Sequence, residues 1–165
     1  REAVWPAANP SSGHSRRDRL GPPVTVDAVS AASSFLAAIL WGEHQQVWDL
    51  LSPAGREHVL EAGGRRGLDP MQAQRLRLGT SPLEERDSFL TGLVHGLRID
   101  FASVPLEEVR PTGEPMAQDD GSLQIELECP ANFGPGGWSA GSLIVSLVED
   151  AWLIDRVHPV VSRSE

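Results

Sequence analysis

The spacing of hydrophobic residues changes once along this chain, and that change constrains the fold more than any other feature of the sequence. Up to Leu97 the apolar residues recur every three or four positions, the period of an amphipathic helix. Beyond Arg98 they recur at every second position, the period of a half-buried strand. This order predicts an α+β fold, in which several N-terminal helices pack on a curved, mainly antiparallel sheet of about four to six strands.

Helix start and stop signals divide the first part of the chain. A serine or aspartate that can cap a helix stands directly before proline three times. These pairs are Ser52-Pro53, Asp69-Pro70 and Ser81-Pro82. Gly42, Gly63 and Gly64 follow apolar stretches and are typical of helix ends. The predicted helices are 27–41, 44–63 with a restart at residue 52, 70–78 and 82–97.

The strand period is clearest between Leu123 and Cys129, where apolar residues alternate with Gln124, Glu126 and Glu128. Segments rich in proline and glycine, 110–121 and 130–137, are predicted to be loops. The predicted strands are 98–109, 122–129, 138–149 and 151–161. Because short turns join them, we expect the later strands to be antiparallel neighbours. The residues expected in the core are Leu36, Ile39, Leu40, Leu50, Leu90, Leu93, Phe101, Leu123, Ile125, Leu127 and Ile154.

Residues 1–24 differ in composition from the rest of the chain, and the sequence predicts a flexible arm or linker there, followed by one domain over 25–165. Trp5 is unusual in such an arm, and its indole is either an anchor on a neighbouring surface or an incidental apolar residue. We favour a cytoplasmic protein, but because the chain begins at Arg1 we leave open an exported or anchored domain whose leader has been removed. No apolar run reaches the roughly 20 residues that a membrane span needs.

Composition excludes several classes of function. The formal net charge is -9, and residues 98–165 hold four arginines against twelve acidic residues, so a nucleic acid partner is not expected. The chain contains no lysine and no tyrosine, which excludes Schiff-base chemistry and tyrosine acids; the exclusive use of arginine is typical of a GC-rich bacterial genome. The histidines and the single cysteine have no ligand-like spacing, so we predict neither a metal nor a cofactor.

Two stretches resemble the nuclear transport factor two-like superfamily, whose fold is a cystatin-like α+β cone. The first is Phe35-Leu36-Ala37-Ala38-Ile39-Leu40-Trp41-Gly42 with Val47-Trp48-Asp49-Leu50-Leu51-Ser52-Pro53, and the second is the terminal hairpin from Val148 to Val157. They are similar to the family's long first helix, to the start of its next helix, and to its acidic turn before a tryptophan-x-isoleucine strand. The superfamily includes isomerases, dehydratases, polyketide cyclases and non-catalytic binding or dimerising domains, so fold alone does not select a function.

Candidate site residues follow from the last strand. Simple alternation places Arg156 and His158 on one face with Trp152 and Ile154. If the domain were an enzyme, Asp100, His158 and Arg156 would be its acid–base group. For a ligand pocket, the candidates are Trp48, Trp152, Arg156 and His158. Both features also have plain structural explanations. Trp48 can be a core side chain, and the polar residues at the end of the strand can mark where the strand emerges into water.

The other face of the predicted sheet is the candidate interface. Glu126 and Glu128 point away from the core, and Trp138 lies nearby, so we expect a homodimer or a protein partner to cover the sheet. A small apolar ligand is a further expectation. The sequence thus favours a non-catalytic binding or interaction domain, with a small-molecule isomerase, dehydratase or cyclase as the alternative.

Overall fold

The computed structural model describes residues 22–102, 104–130 and 138–160. Within these residues the chain forms five α-helices, followed by one 3-10 turn and four strands. The helices are α1 (Pro22–Trp41), α2 (His44–Leu50), α3 (Pro53–Arg65), α4 (Pro70–Leu78) and α5 (Leu83–Asp100), and the 3-10 turn is Leu106–Glu108. The strands are β1 (Arg110–Ala117), β2 (Leu123–Cys129), β3 (Trp138–Val148) and β4 (Ala151–Pro159). The α+β prediction is confirmed.

The strands form one sheet with the order β1-β2-β3-β4, and every neighbouring pair is antiparallel. Leu51 adds an isolated parallel bridge to Ile154, so the short link between α2 and α3 lies along the free edge of β4. The sheet is therefore an open meander with the helices packed on one face. The prediction of helices before strands was correct. The antiparallel pairing predicted from the short connections between the strands was also correct.

The first predicted strand was wrong. Residues 98–100 continue α5, because Leu97 and Phe101 are both buried and lie four residues apart on one helical stripe. The first strand lies instead at Arg110–Ala117, inside the segment predicted to be a loop. Pro111 and Pro115 suggested a loop. However, β1 is an edge strand, and the side of an edge strand that faces away from the sheet has no partner strand. A proline nitrogen on that side therefore removes no hydrogen bond from the sheet.

Helix boundaries differ from the predictions at the start of α1 and at the start of α5. α1 begins at Pro22, so residues 22–24 belong to a helix rather than to the predicted arm; residues 1–21, with Trp5, lie outside the described residues. The predicted restart at residue 52 is confirmed, because α2 ends at Leu50 and α3 begins at Pro53. Ser81 does not cap α5, which begins at Leu83 after the cap residue Pro82, and the Ser81 hydroxyl has no hydrogen-bond partner among the described residues.

The core lies between the helices and the inner face of the sheet. Seven of the eleven predicted core residues are buried: Leu36, Ile39, Leu90, Phe101, Ile125, Leu127 and Ile154. The other four, Leu40, Leu50, Leu93 and Leu123, are half-buried. Ala28, Ala32 and Phe35 of α1 are fully buried as well. Small alanines let α1 approach the sheet closely, and a search for large apolar residues passes over them.

Candidate functional site

The N-terminus of α3 is joined tightly to β4. Leu51 bridges Ile154, and the amide of Ser52 donates a hydrogen bond of 2.9 Å to the carbonyl of Ile154. Gly55, in the first turn of α3, lies so close to the strand that a Cβ atom there would be 2.3 Å from the same carbonyl oxygen. Only glycine fits this position, since any side chain would push the helix away from the strand.

A partly buried polar cluster completes this junction. The hydroxyl of Ser52 caps α3 by accepting a hydrogen bond of 2.9 Å from the amide of Gly55. The same hydroxyl donates a hydrogen bond to the carboxylate of Asp155. Ser146 of β3 donates a second hydrogen bond, of 2.8 Å, to the same carboxylate oxygen. Asp155 therefore connects a helix start to two strands.

Asp155 is also the extra residue of a β-bulge. Val145 pairs with Ile154, whereas Ile144 pairs with Arg156, so Asp155 has no partner of its own in β3. The bulge reverses the alternation beyond it. Val157 then pairs with the fully buried Leu143 on the helix side, and Arg156 points to the opposite face of the sheet.

The prediction that Arg156 and His158 share a face with Trp152 and Ile154 was therefore wrong. A one-residue bulge moves every later side chain to the other face, and simple alternation cannot detect it. His158 pairs with Ser142 on the outer face of the sheet.

A groove of about 530 Å³ lies between α3 and α5 and reaches β4. Its walls are largely apolar, with Val59 and Ala62 from α3 and Phe89 and Leu93 from α5. The fully buried Phe35 of α1 also lines it. This volume lies within the range of pockets that bind small molecules.

Small residues keep the groove open. Ser88, Gly92, Gly96 and Asp100 follow one another at intervals of four on α5, so they lie on one face of the helix, and all four line the groove. A Cβ atom on Gly92 would meet no atom within 4 Å. A Cβ atom on Gly96 would meet only the guanidinium of Arg66, at 3.7 Å. The space beside this face of α5 is therefore not filled by neighbouring side chains.

Charged residues lie toward both ends of the groove. Arg66 and Asp100 line it where α3 and α5 end, and Asp155 and Arg156 line it beside the start of α3. Burial among the groove walls raises the pKa of Asp100, and the nearby guanidinium of Arg66 opposes that rise. Asp100 keeps much of its solvent contact, so the groove is apolar enough to disfavour the charge without excluding water.

A second concavity, of about 740 Å³, lies on the other side of the junction between α3 and β4 and is polar. It is lined by α3, by the outer faces of β2, β3 and β4, and by the turn that joins β1 to β2. His58, Asp155 and Arg156 line both cavities. The hydrogen bond from Arg77 lowers the pKa of Glu57, which lies at the edge of this concavity.

The structure separates the predicted site residues. Asp100 and Arg156 both line the groove, whereas His158 lines the polar concavity. Asp100 lies on a helix, not on the predicted strand. Trp48 is buried, lies edge-on to Phe89 with ring centroids 5.9 Å apart, and lies under the guanidinium of Arg56, so it supports the groove from behind.

The other predicted residues lie away from the groove. Trp152 is half-buried and packs against the core, and it pairs with Leu147 near the turn between β3 and β4. Glu126 and Glu128 face away from the helices as predicted, and Gln124 donates a hydrogen bond of 2.5 Å to Glu126 on this outer face. Trp138, at the start of β3, is 45% exposed.

Sequence reasoning missed His58, Arg66 and the glycines of α5. One signal was available: Gly92 and Gly96 stand four apart within a strong helical pattern, and glycine inside a helix costs about 1 kcal/mol relative to alanine. Two such residues on one face indicate that the helix needs space there. Arg66 gave no signal, because its place in the groove depends on how α3 and α5 pack.

No family model, no curated protein and no solved structure matches this chain. Among the residues of known placement, no cluster of three or more histidine, cysteine or acidic side chains has the arrangement of a metal site. None of the helices in the described ranges is long and apolar enough to cross a membrane.

Proposed function

We propose that this protein is a non-catalytic binding module that holds a small, largely apolar molecule in the groove between α3 and α5. The observation that carries the proposal is the unfilled space beside Gly92 and Gly96. A helix that served only as packing would gain stability from alanine or leucine at these positions. Keeping two glycines there is consistent with space reserved for a ligand.

We also propose membership of the nuclear transport factor two-like superfamily. Its support is the order of helices before an antiparallel meander, together with the Leu50-Leu51-Ser52-Pro53 stretch. In this structure that stretch joins α3 to β4 through a strand bridge and a capped helix start. A protein partner, or a second copy, on the outer face near Glu126 and Trp138 is the accompanying proposal; light scattering at high micromolar concentration tests for the dimer.

The enzyme alternative rests on Asp100. A carboxyl group whose pKa is raised by an apolar groove is the kind of base that an isomerase, dehydratase or cyclase uses. Compounds extracted from the native protein would distinguish the two functions after incubation with it in D2O. A binding module returns them unchanged in mass, whereas proton abstraction adds deuterium at an acidic carbon.

Titration with the neutral fluorescent probe N-phenyl-1-naphthylamine tests the binding function. We expect saturable binding, and at least about tenfold weaker binding to Gly92→Leu, because the new side chain would occupy the open space. Gly64→Leu is the matched control: Gly64 is also a helical glycine with no atom within 4 Å of a Cβ, but it does not line the groove. Equal binding by both variants would contradict the proposed site.

A further inference from the structure

The two ends of the groove differ in the polar groups that they offer to a ligand. At the end beside β4, the strand register places the side chain of Arg156 on the outer face of the sheet. The carboxylate of Asp155 at this end already accepts hydrogen bonds from Ser52 and Ser146. Among the residues that the structure describes, no arginine side chain therefore faces the groove here, and the acidic group is already engaged.

The opposite end holds a cation and an anion close together. The guanidinium of Arg66 lies beside Gly96, with one nitrogen 3.7 Å from the position that a Cβ atom would take there. Asp100 follows Gly96 by four positions in α5, so it lies one turn further along the same face of the helix. Arg66 also acts to lower the pKa of Asp100, which shows that the two charges interact. Neither side chain forms a salt bridge within the described residues, so both remain available to a ligand.

The groove between these two ends is apolar. Val59, Ala62 and Gly92 line it there. Arg66, directly after α3, stands eleven positions beyond Gly55, which is roughly 16 Å at the rise of an α-helix. The groove is therefore long enough for an extended apolar chain, and its available charged groups lie at one end only.

A polar group placed between Arg66 and Asp100 has to suit both of them. A guanidinium can only donate hydrogen bonds, and an ionised carboxylate can only accept them. A hydroxyl does both, whereas a carboxylate would be repelled by Asp100 and an ammonium by Arg66. We propose that the groove binds an amphiphile in one direction, with a single uncharged, hydroxyl-type head between Arg66 and Asp100 and an apolar chain that runs toward β4. This inference rests on the proposed binding function and specifies its ligand class and orientation.

Displacement of N-phenyl-1-naphthylamine by twelve-carbon compounds tests the head group. We expect 1-dodecanol to displace the probe at about tenfold lower concentration than dodecanoate or dodecylammonium, used below their micelle concentrations, because each charged head meets one like charge. The diol 1,12-dodecanediol should also be weaker than 1-dodecanol, since its second hydroxyl would lose water without gaining a partner. A diol or a charged compound that matches or exceeds 1-dodecanol would overturn the inference.

Variants that leave one charge at a time test the position of the head. Arg66→Met leaves Asp100 alone, so dodecylammonium should gain about tenfold relative to 1-dodecanol. Asp100→Asn leaves Arg66 alone, so dodecanoate should gain by a similar factor. Loss of folding cannot produce these opposite changes, and circular dichroism establishes that each variant is folded.

The control for these variants is Arg65→Met, because Arg65 is exposed, adjacent in sequence and outside the groove lining. It should keep the order of the parent protein. An order that is unchanged in Arg66→Met and Asp100→Asn would overturn the inference. An order that responds to Arg156→Met instead would also overturn it, because the head would then lie at the end beside β4.

The failure of this inference differs from the failure of the proposed function. If the probe binds and all the twelve-carbon compounds displace it without regard to their head groups, the groove binds apolar molecules and the proposed head site is wrong. If neither the probe nor any twelve-carbon compound binds, the binding function itself is wrong, and the ligand class falls with it.

Discussion

Two helices in this molecule start with the same local device and are held in entirely different ways. Ser52 before Pro53 caps α3, and Asp69 before Pro70 caps α4, each by accepting a hydrogen bond from an amide three residues later. The start of α3 is buried against β4. In α4 only Leu76 is buried.

Ion pairs at the surface link α4 to its neighbours. Arg75 binds Glu85 of α5, and Arg77 binds Glu57 of α3, through two hydrogen bonds each. Exposed pairs of this kind contribute little to stability. The comparison teaches that a capping signal predicts where a helix begins. How firmly that helix is held by the rest of the fold depends on close contacts with other elements, and the only trace of such a contact in the sequence is a glycine or a serine.

The largest expected effect is at Gly55. Replacing it with alanine would place a Cβ atom 2.3 Å from the carbonyl oxygen of Ile154, so either α3 or β4 must move. We expect Gly55→Ala to lower the free energy of unfolding by about 3 kcal/mol or more, measured by urea denaturation. Gly64→Ala in the same helix should instead raise it by up to about 1 kcal/mol. Equal effects would mean that the junction is not tightly packed.

The two caps provide the next test. Ser52→Ala removes a helix cap and a hydrogen bond to the carboxylate of Asp155, so we expect a loss of about 2 to 3 kcal/mol. Asp69→Ala removes an exposed cap only and should cost about 1 kcal/mol or less. Thermal melts of the two variants, compared side by side, check the difference. A larger loss at Asp69 would reverse the ranking of the two helix starts.

Acid should loosen α4 before it affects the junction of α3 with β4. Hydrogen bonds from Arg77 and Arg75 lower the pKa values of Glu57 and Glu85 below 4.5. The stabilisation is therefore present at neutral pH and is lost as the pH falls from about 4.5 through the lowered values. Hydrogen exchange, corrected for intrinsic rates, should show the amides of α4 losing protection first. Unchanged protection of α4 under these conditions would contradict the role of the ion pairs.

Replacing Asp100 should have the smallest effect on the free energy of unfolding, and it should raise that free energy rather than lower it. Because burial raises its pKa, the folded state holds a proton on Asp100 more readily than the unfolded state does, and its charge disfavours folding at pH 7. Asp100→Asn should therefore stabilise the protein at pH 7 by less than about 0.5 kcal/mol, since the group keeps solvent contact. The gain should vanish once the pH falls below about 3.8. Destabilisation at pH 7 would show that the carboxylate is needed.

How far the sequence predicts this molecule depends on the range of the interaction. Hydrophobic period and capping pairs placed α3, α4 and β2 closely, because these signals act within a few residues. β1 was missed, since Pro111 and Pro115 are tolerated only because the strand lies at an edge. The same limit applied to the site. Asp155, the extra residue of the bulge, hydrogen-bonds to Ser146 of the neighbouring strand and to Ser52, which is 103 positions away in the sequence.

The most direct test of the binding function is the location of a bound probe. We would record the amide NMR spectrum of 15N-labelled protein with increasing N-phenyl-1-naphthylamine, because the ring currents of the probe shift nearby amide signals. The groove assignment predicts the largest shifts at Gly63, Gly92 and Gly96, which line it, with little change at Gly121 and Gly141. Shifts concentrated at Gly121 and Gly141, with the groove glycines unchanged, would contradict it.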